Sequence, residues 1–195
     1  MDSVKPETNM SAEVDFRLRA YRRKFLATRV SARPIREDLE SQVREHGPDA
    51  TVTIDLNGIE AMTISFADEL IGRFYNSLAA GHIPAEVVQI VGVNEETRET
   101  IHLCLERLDL IAVIIDDGRP ILLGRSDPLE ETFEKALALG EFSANDLAHA
   151  LSITAQNANN RLKRLVGAAA IRRRRVSLAN RGGKEFTYTA VGARR

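Results

Sequence analysis

Thr51–Asp68 reads TVTIDLNGIEAMTISFAD. Val52, Ile54 and Leu56 alternate with polar residues, the period-two pattern of a strand with one buried face. Asn57-Gly58 then turns the chain. From Ser65 to about Ala80 the apolar residues Phe66, Leu70, Phe74 and Leu78 recur every fourth position, the inner stripe of a helix. Ser65 and Asp68 fit the S-x-x-D pattern of a helix N-cap. A strand feeding a helix within so short a span is the unit from which α/β layers are built.

The flanks extend this pattern. Upstream, Ile35, Leu39 and Val43 mark an amphipathic helix over Ser31–Glu45, stopped by Gly47-Pro48. From Ser11 to about Val30, Phe16, Leu18, Tyr21, Phe25 and Leu26 are scattered among Arg and Lys, and strands and a helix both remain open there. Residues 1–10 are polar and acidic and are expected to be disordered. Downstream, Val87–Val93 is almost continuously apolar, as in a strand buried on both faces. A helix is expected over Glu95–Asp109 and a strand over Leu110–Ile115, ended by Asp116-Asp117-Gly118. Strands alternating with helices predict a sheet with helices on at least one face.

Thr51–Asp68 resembles the signature of STAS domains, the anti-sigma-factor-antagonist fold. It is closer still to a STAS-like variant whose motif ends in Ser-Phe-Ala-Asp-Glu-Leu, here Ser65–Leu70. The likeness covers roughly residues 20–118. In phosphorylation-switched STAS proteins a Ser or Thr at the start of this helix accepts phosphate from a partner kinase. The resemblance places that role on Ser65, with Thr63 nearby, while Phe66 stands where the switched family usually has Gly. A helix N-terminus suits an added negative charge, and a Ser65 that only caps its helix is the alternative reading. Asp55 reads as a sheet-end residue.

Charge divides the chain. Residues 141–195 carry 11 Lys/Arg against 3 Asp/Glu, a formal +8; the chain totals of 27 and 28 then leave 16 and 25 for residues 1–140, a formal −9. A net charge of −1 therefore averages two halves of opposite sign, and the basic half is expected to meet a polyanion, nucleic acid first. Aromatic content is 5% with no Trp, too little for the stacking platforms of single-strand binders. One cysteine, Cys104, excludes an internal disulfide framework and a multi-cysteine zinc site, and its place between Leu103 and Leu105 suits a packed core thiol. His46, His82, His102 and His149 are dispersed, Gly-rich phosphate loops are absent, and no catalytic constellation, metal site or cofactor is expected. No apolar run approaches the roughly 20 residues that span a bilayer, and the N-terminus lacks a signal-peptide core. A cytoplasmic protein with no membrane association is expected.

The basic half has its own punctuation. Asp127-Pro128 suggests a helix start, with Asp as N-cap and Pro as first helical residue; Leu129, Phe133, Ala136 and Leu137 form its apolar face up to Gly140. Ser143-Ala-Asn-Asp146 repeats the capping pattern ahead of a short helix to about Leu151. Ser152-Ile153 turns, Thr154 caps, and a third helix spans Ala155–Val166. Ala155, Ala158, Leu162, Leu165 and Val166 project to its inner side. The outer side holds Gln156, Asn157, Asn160, Lys163 and Arg164, with Asn159 and Arg161 on the flanks. Asn and Gln match the hydrogen-bonding edge of adenine, and Lys and Arg serve guanine or phosphate. After Gly167 come Ile171-Arg-Arg-Arg-Arg-Val176, the turn Asn180–Gly183 and the return strand Glu185–Ala190. Period-two geometry sends two of the four arginines to each side, leaving Arg173 and Arg175 as contacts, with Arg181 and Lys184 at the tip.

Over about residues 128–191 this order resembles the winged helix-turn-helix domain of bacterial transcription regulators. The resemblance implies that Ala155–Val166 enters the major groove and that Val176–Tyr188 spans a wing meeting phosphate or the minor groove. The fold class expected is therefore α/β: a STAS-like domain over 11–125, then a winged helix-turn-helix over 126–195. The function expected is a non-enzymatic transcription regulator that binds double-stranded DNA as a homodimer. Its STAS-like domain would receive a signal, dock a protein partner or mediate dimerisation. A partner-switching regulator acting on a kinase-like ATPase or anti-sigma factor is the alternative.

Overall fold

The computed structural model describes residues 12–125, 127–177 and 184–192. The chain opens with β1 (Glu13–Arg17), a 3-10 turn (Leu18–Tyr21) and β2 (Phe25–Leu26), followed by α1 (Arg29–His46), β3 (Thr51–Asp55) and β4 (Ala61–Met62). A continuous helical stretch comes next: α2 (Ile64–Ala67), a π turn (Asp68–Gly72) and α3 (Arg73–Ala79). Then come β5 (Val87–Val91), α4 (Glu95–Arg107), β6 (Ile111–Asp116) and β7 (Arg119–Gly124). The five long strands form one sheet in the order β1-β3-β5-β6-β7. Its first four are parallel, and β7 returns antiparallel to β6. Asp117 and Gly118 make that return with φ of 46° and 76°, the left-handed pair that a tight hairpin needs.

Alternation along each strand assigns its side chains to one of two cores. Val14, Phe16, Val52, Ile54, Val88, Ile90, Ala112 and Ile114 share a core with Ile35, Leu39 and Val43 of α1, Phe66, Leu70 and Phe74 of the α2–α3 stretch, and Ile101 and Cys104 of α4. The opposite face splits. On β1 and β3 it carries Asp15, Arg17, Thr51 and Thr53, and none of these is buried. On β5, β6 and β7 it carries Val87, Ile111, Val113 and Leu122, which belong to a second core with the C-terminal residues. The near-continuous apolar run at β5 follows from this double coverage.

The C-terminal unit comprises α5 (Leu129–Leu139), β8 (Glu141–Ser143), α6 (Ala144–Leu151), α7 (Ala155–Gly167), β9 (Ile171–Ser177) and β10 (Lys184–Ala190). Its antiparallel sheet has the order β8-β10-β9. Leu129 and Phe133 of α5, Leu147 of α6 and Leu162 and Leu165 of α7 meet Phe142, Ile171 and Tyr188 of this small sheet in the second core. Backbone and ion-pair contacts stitch the seam with the large sheet. The Val88 N–H donates to the Ala169 carbonyl at 3.1 Å, and Arg172 Nε lies 2.8 Å from Glu86 Oε2. Ala169 has φ +52° and joins the first core at 1% exposure.

Several local expectations are corrected. Thr63, not Ser65, caps the second helix: its Oγ1 accepts from Phe66 N–H at 3.2 Å and donates to the Ala27 carbonyl at 2.5 Å. Pairing of β4 with β2 holds the chain extended up to Thr63, so the backbone is already helical at Ser65. The strict four-residue spacing of Phe66, Leu70, Phe74 and Leu78 would drift around a pure α-helix of 3.6 residues per turn. The intervening π turn takes up that drift, and all four stay buried. Helix α5 begins at Leu129 with Pro128 at the cap position and no side-chain cap, so Asp127 is too early to reach the free N–H groups. Ala155 is exposed; it occupies the first position of α7, and inward packing starts at Ala158. The undecided stretch after Ser11 resolves into strands and a 3-10 turn. Asp116-Asp117-Gly118 ends the strand expected before it, and the chain then returns as β7, for which no strand is expected from the sequence. The proposed disorder of residues 1–10 and the wing-tip residue Arg181 lie outside the described residues.

Candidate nucleic-acid interface

Helix α7 is held by its ends and its inner face. Thr154 Oγ1 accepts from Asn157 N–H at 3.2 Å. Ser143 and Asp146 close a reciprocal capping box on α6, and those bonds hold the Asp146 carboxyl below its ordinary range. Ser152 turns the chain between the two helices with φ +54°. Ala158, Leu162 and Leu165 of α7 are buried.

That anchoring turns Gln156, Asn157, Asn160, Lys163 and Arg164 to the surface, and all five are exposed. They are not equivalent. Among the described residues, Gln156, Asn160 and Lys163 make no side-chain hydrogen bond or ion pair. The Asn157 amide oxygen accepts from Arg161 Nε at 3.1 Å. Arg161 also donates to Thr132 Oγ1 on α5 at 3.0 Å and so braces α7 against its neighbour. Arg164 reaches across the seam and donates to Asp109 Oδ1 at 3.3 Å. Its tie to Asp109 had no local signal, because the partner lies 55 residues away. The Asn157–Arg161 pair was legible as an i, i+4 contact.

The β9–β10 hairpin divides its arginines two and two. Arg173 pairs across the ladder with Tyr188 and Arg175 with Phe186, so these four share a face. Arg173 lies 4.8 Å from the centroid of the Phe186 ring, a cation–π contact. Arg172 and Arg174 take the other face, where Glu86 meets them at 2.8 and 3.8 Å. Arg173 and Arg175 are exposed and lack a carboxylate partner among the described residues. The backbone of Lys184 opens β10.

A second candidate surface lies on the large sheet's helical face. Thr63 and Ser65 are both exposed at the start of α2. Asp68 is paired with Arg29 and, at 2.6 Å, with Arg107. Glu69, 1% exposed, is met by Arg73 at 2.9 Å and Arg36 at 3.4 Å. Asp55 is the last residue of β3, the sheet-end position expected of it, and its carboxylate accepts from Asn57 N–H at 2.7 Å and from Asn57 Nδ2 at 2.8 Å. Cys104 is buried; burial and then nearby Asp68 push its thiol up to about 11.

Residues 31–87 match the family model of the STAS-like domain of unknown function (DUF4325). The matched segment runs from α1 to the start of β5 and contains Ser65–Leu70. No curated protein matches the chain, and no solved structure matches it. The mixed α/β sheet with its parallel majority is consistent with a STAS-like domain, for which a regulatory or protein-interaction role is the supported reading. No helix among the described residues is long and apolar enough to cross a membrane.

Proposed function

We propose that the chain is a transcription regulator whose C-terminal unit is a winged helix-turn-helix binding duplex DNA. Helix α7 is its recognition helix, the β9–β10 hairpin its wing, and the STAS-like unit its sensing or docking part. One observation carries the reading. A helix anchored on three sides exposes an uncommitted Gln156, Asn160 and Lys163, within a segment of formal charge +8. Asn has low intrinsic helix propensity, so helix stability does not account for Asn157, Asn159 and Asn160 together. The N-terminal part of such a helix reads base edges while flanking cations meet phosphates. The element order helix, strand, helix, turn, helix and two-stranded hairpin supports the same assignment. Two-fold operators would then call for a homodimer.

Electrophoretic mobility shifts on genomic fragments at several salt concentrations test the proposal. Counterion release requires affinity to fall steeply with salt, by about one unit of log–log slope per phosphate contact. Salt-independent retention, or none at all, would refute it.

The alternative is a regulator that acts through protein contacts at the STAS-like unit. It draws on Phe25 and Val30, 65% and 84% exposed, near the joined starts of α1 and α2 where Thr63 and Ser65 lie. Phosphopeptide mass spectrometry of protein from its host tests the phosphorylated form of this reading, and Ser65 and Thr63 unmodified under all conditions would count against it.

A further inference from the structure

Among the described residues β7 is an edge strand, with β6 on one side and no strand on the other. The hydrogen-bond pattern fixes which of its backbone groups are left over. Arg125 N–H donates to the Leu110 carbonyl at 3.2 Å, and in an antiparallel ladder bonded pairs alternate with unbonded ones. Leu123 and Ile121 therefore bond to Ala112 and Ile114, while Gly124, Leu122 and Pro120 turn their backbone groups to the outer edge. A second bond bears out that parity: Gly124 N–H donates to His102 Nδ1 of α4 at 3.2 Å, away from β6. Pro120 has no N–H to leave bare, as suits an edge. Leu122 keeps a free N–H and a free C=O, and Pro120 a free C=O, among the described residues. This part of the edge borders a groove of about 820 Å³ between β7 and α5. Alternation turns Ile121 toward the first core and Leu122 toward α5. Phe133 and Leu137 of α5 line the groove beside Leu122, together with Glu130 and Glu134. Both glutamates are exposed, and neither has an ion-pair or hydrogen-bond partner among the described residues.

We propose that this groove takes an extended, basic segment of a partner protein, added to the sheet as a strand alongside β7. The residue opposite Leu122 exchanges both backbone bonds with it and points to the same side, where Phe133 and Leu137 favour an aliphatic side chain. Residues two places away point the same way and bring Lys or Arg to Glu130 and Glu134. Main-chain bonds at a sheet edge supply affinity in strand addition, and alternate side chains entering a groove supply specificity. Arg119 does not neutralise the two glutamates, because alternation puts it on the Ile121 side of the strand. An acidic segment is repelled by them. A second copy pairing its own β7 here would set its Glu130 and Glu134 against the same two carboxylates. The docking edge stands apart from α7 and the β9–β10 hairpin and does not rest on the proposed DNA reading.

The test uses the full chain, isotope-labelled for NMR, and three synthetic peptides at up to millimolar concentration. The first is acetyl-Ser-Lys-Thr-Val-Thr-Lys-Ser-amide; the second carries N-methylvaline at its centre, and the third has Glu in place of both Lys. The lysine peptide is expected to bind, with the Leu122 amide among the most shifted signals and slowed in hydrogen exchange. The methylated peptide has lost the N–H that meets the Leu122 carbonyl and should bind about tenfold more weakly, the effect of one hydrogen bond. The glutamate peptide should not bind. Glu130→Gln combined with Glu134→Gln, at two exposed positions that leave the core intact, should weaken the lysine peptide and flatten its salt dependence. No binding of the lysine peptide, equal binding of its methylated form, undiminished binding to the double variant, or amide shifts centred away from β7 and α5 overturns the proposal. Protection of the Leu122 amide that rises with the concentration of the chain alone would assign the groove to a second copy and overturn it as well.

Discussion

Glu86 Oε2 lies 2.8 Å from Arg172 Nε, an ion pair without hydrogen-bond alignment that joins the residue before β5 to the second residue of β9. Both side chains are largely covered, at 14% and 18% exposure, and Arg174 adds a weaker contact at 3.8 Å. A covered pair of this kind costs more when one partner is removed than its formation contributes, because the remaining charge stays desolvated. Glu86→Ala is therefore expected to destabilise the chain by about 2 kcal/mol, below the loss for a fully buried pair. Urea denaturation should show a lower midpoint at unchanged slope. An unshifted midpoint would mean the pair is solvated in solution.

The same seam predicts cooperativity. Val87, Ile111, Val113 and Leu122 of the large sheet share a core with α5, α6 and α7. Two units that share a core should unfold together, so fluorescence, circular dichroism and calorimetry should report one coincident transition. Two separated transitions would show that the seam opens on its own.

At the start of α2 the two candidate hydroxyls have different structural weights. Thr63 caps the helix and bonds to the Ala27 carbonyl, and loss of a cap costs about 1 kcal/mol. Ser65 is exposed in the first turn, and its hydroxyl makes no hydrogen bond among the described residues. Thr63→Ala should lower stability by about 1–2 kcal/mol and Ser65→Ala by less than about 0.5 kcal/mol. Equal losses in thermal denaturation would restore Ser65 as the cap.

What was legible in the sequence had local causes. The Ile35-Leu39-Val43 stripe, the alternation of Val52 and Ile54 and the cap at Thr154 each depend on neighbours within a few residues. What escaped depends on remote partners. β1 is a five-residue strand whose pairing with β3 joins Val14 to Val52, and nothing nearby distinguishes it from a helix turn. The β7 strand begins Arg119-Pro120, a polar start that hides its buried end at Leu122–Gly124. The outer face of α7 could be projected from helical period alone. Arg161 bonding to Thr132 and Arg164 to Asp109 required the tertiary fold.

Cys104 gives a pH-dependent prediction. Its pKa is raised from an ordinary 9.0 to about 11, chiefly by burial. The folded thiol therefore stays protonated where the unfolded thiol ionises. Its contribution to stability is complete below pH 9 and declines as pH rises toward about 11. Over that window the stability of wild type should fall more steeply than that of Cys104→Ala. Alkylation by iodoacetamide at pH 8.5 should require unfolding. Rapid labelling of the native chain would show the thiol to be accessible.

The outer face of α7 predicts a division of labour among its residues. Gln156 and Asn160 offer amides suited to base edges, so replacing either by Ala should relax sequence preference at one position, with a loss of about 1–3 kcal/mol on the preferred site and little on other DNA. Lys163 has no ion-pair partner among the described residues, and Lys163→Ala should weaken binding to all sequences and reduce the salt slope by about one unit. Arg161 is different, since it is committed to Asn157 and Thr132. Arg161→Ala should lower thermal stability, because Thr132 is buried and, among the described residues, its hydroxyl would keep only the bond to the Pro128 carbonyl. Its salt slope should match wild type. Mobility shifts on a selected site and on scrambled DNA, run beside thermal denaturation, separate the three classes. If Lys163→Ala and Arg161→Ala behave alike in both assays, the outer face of α7 is not reading DNA.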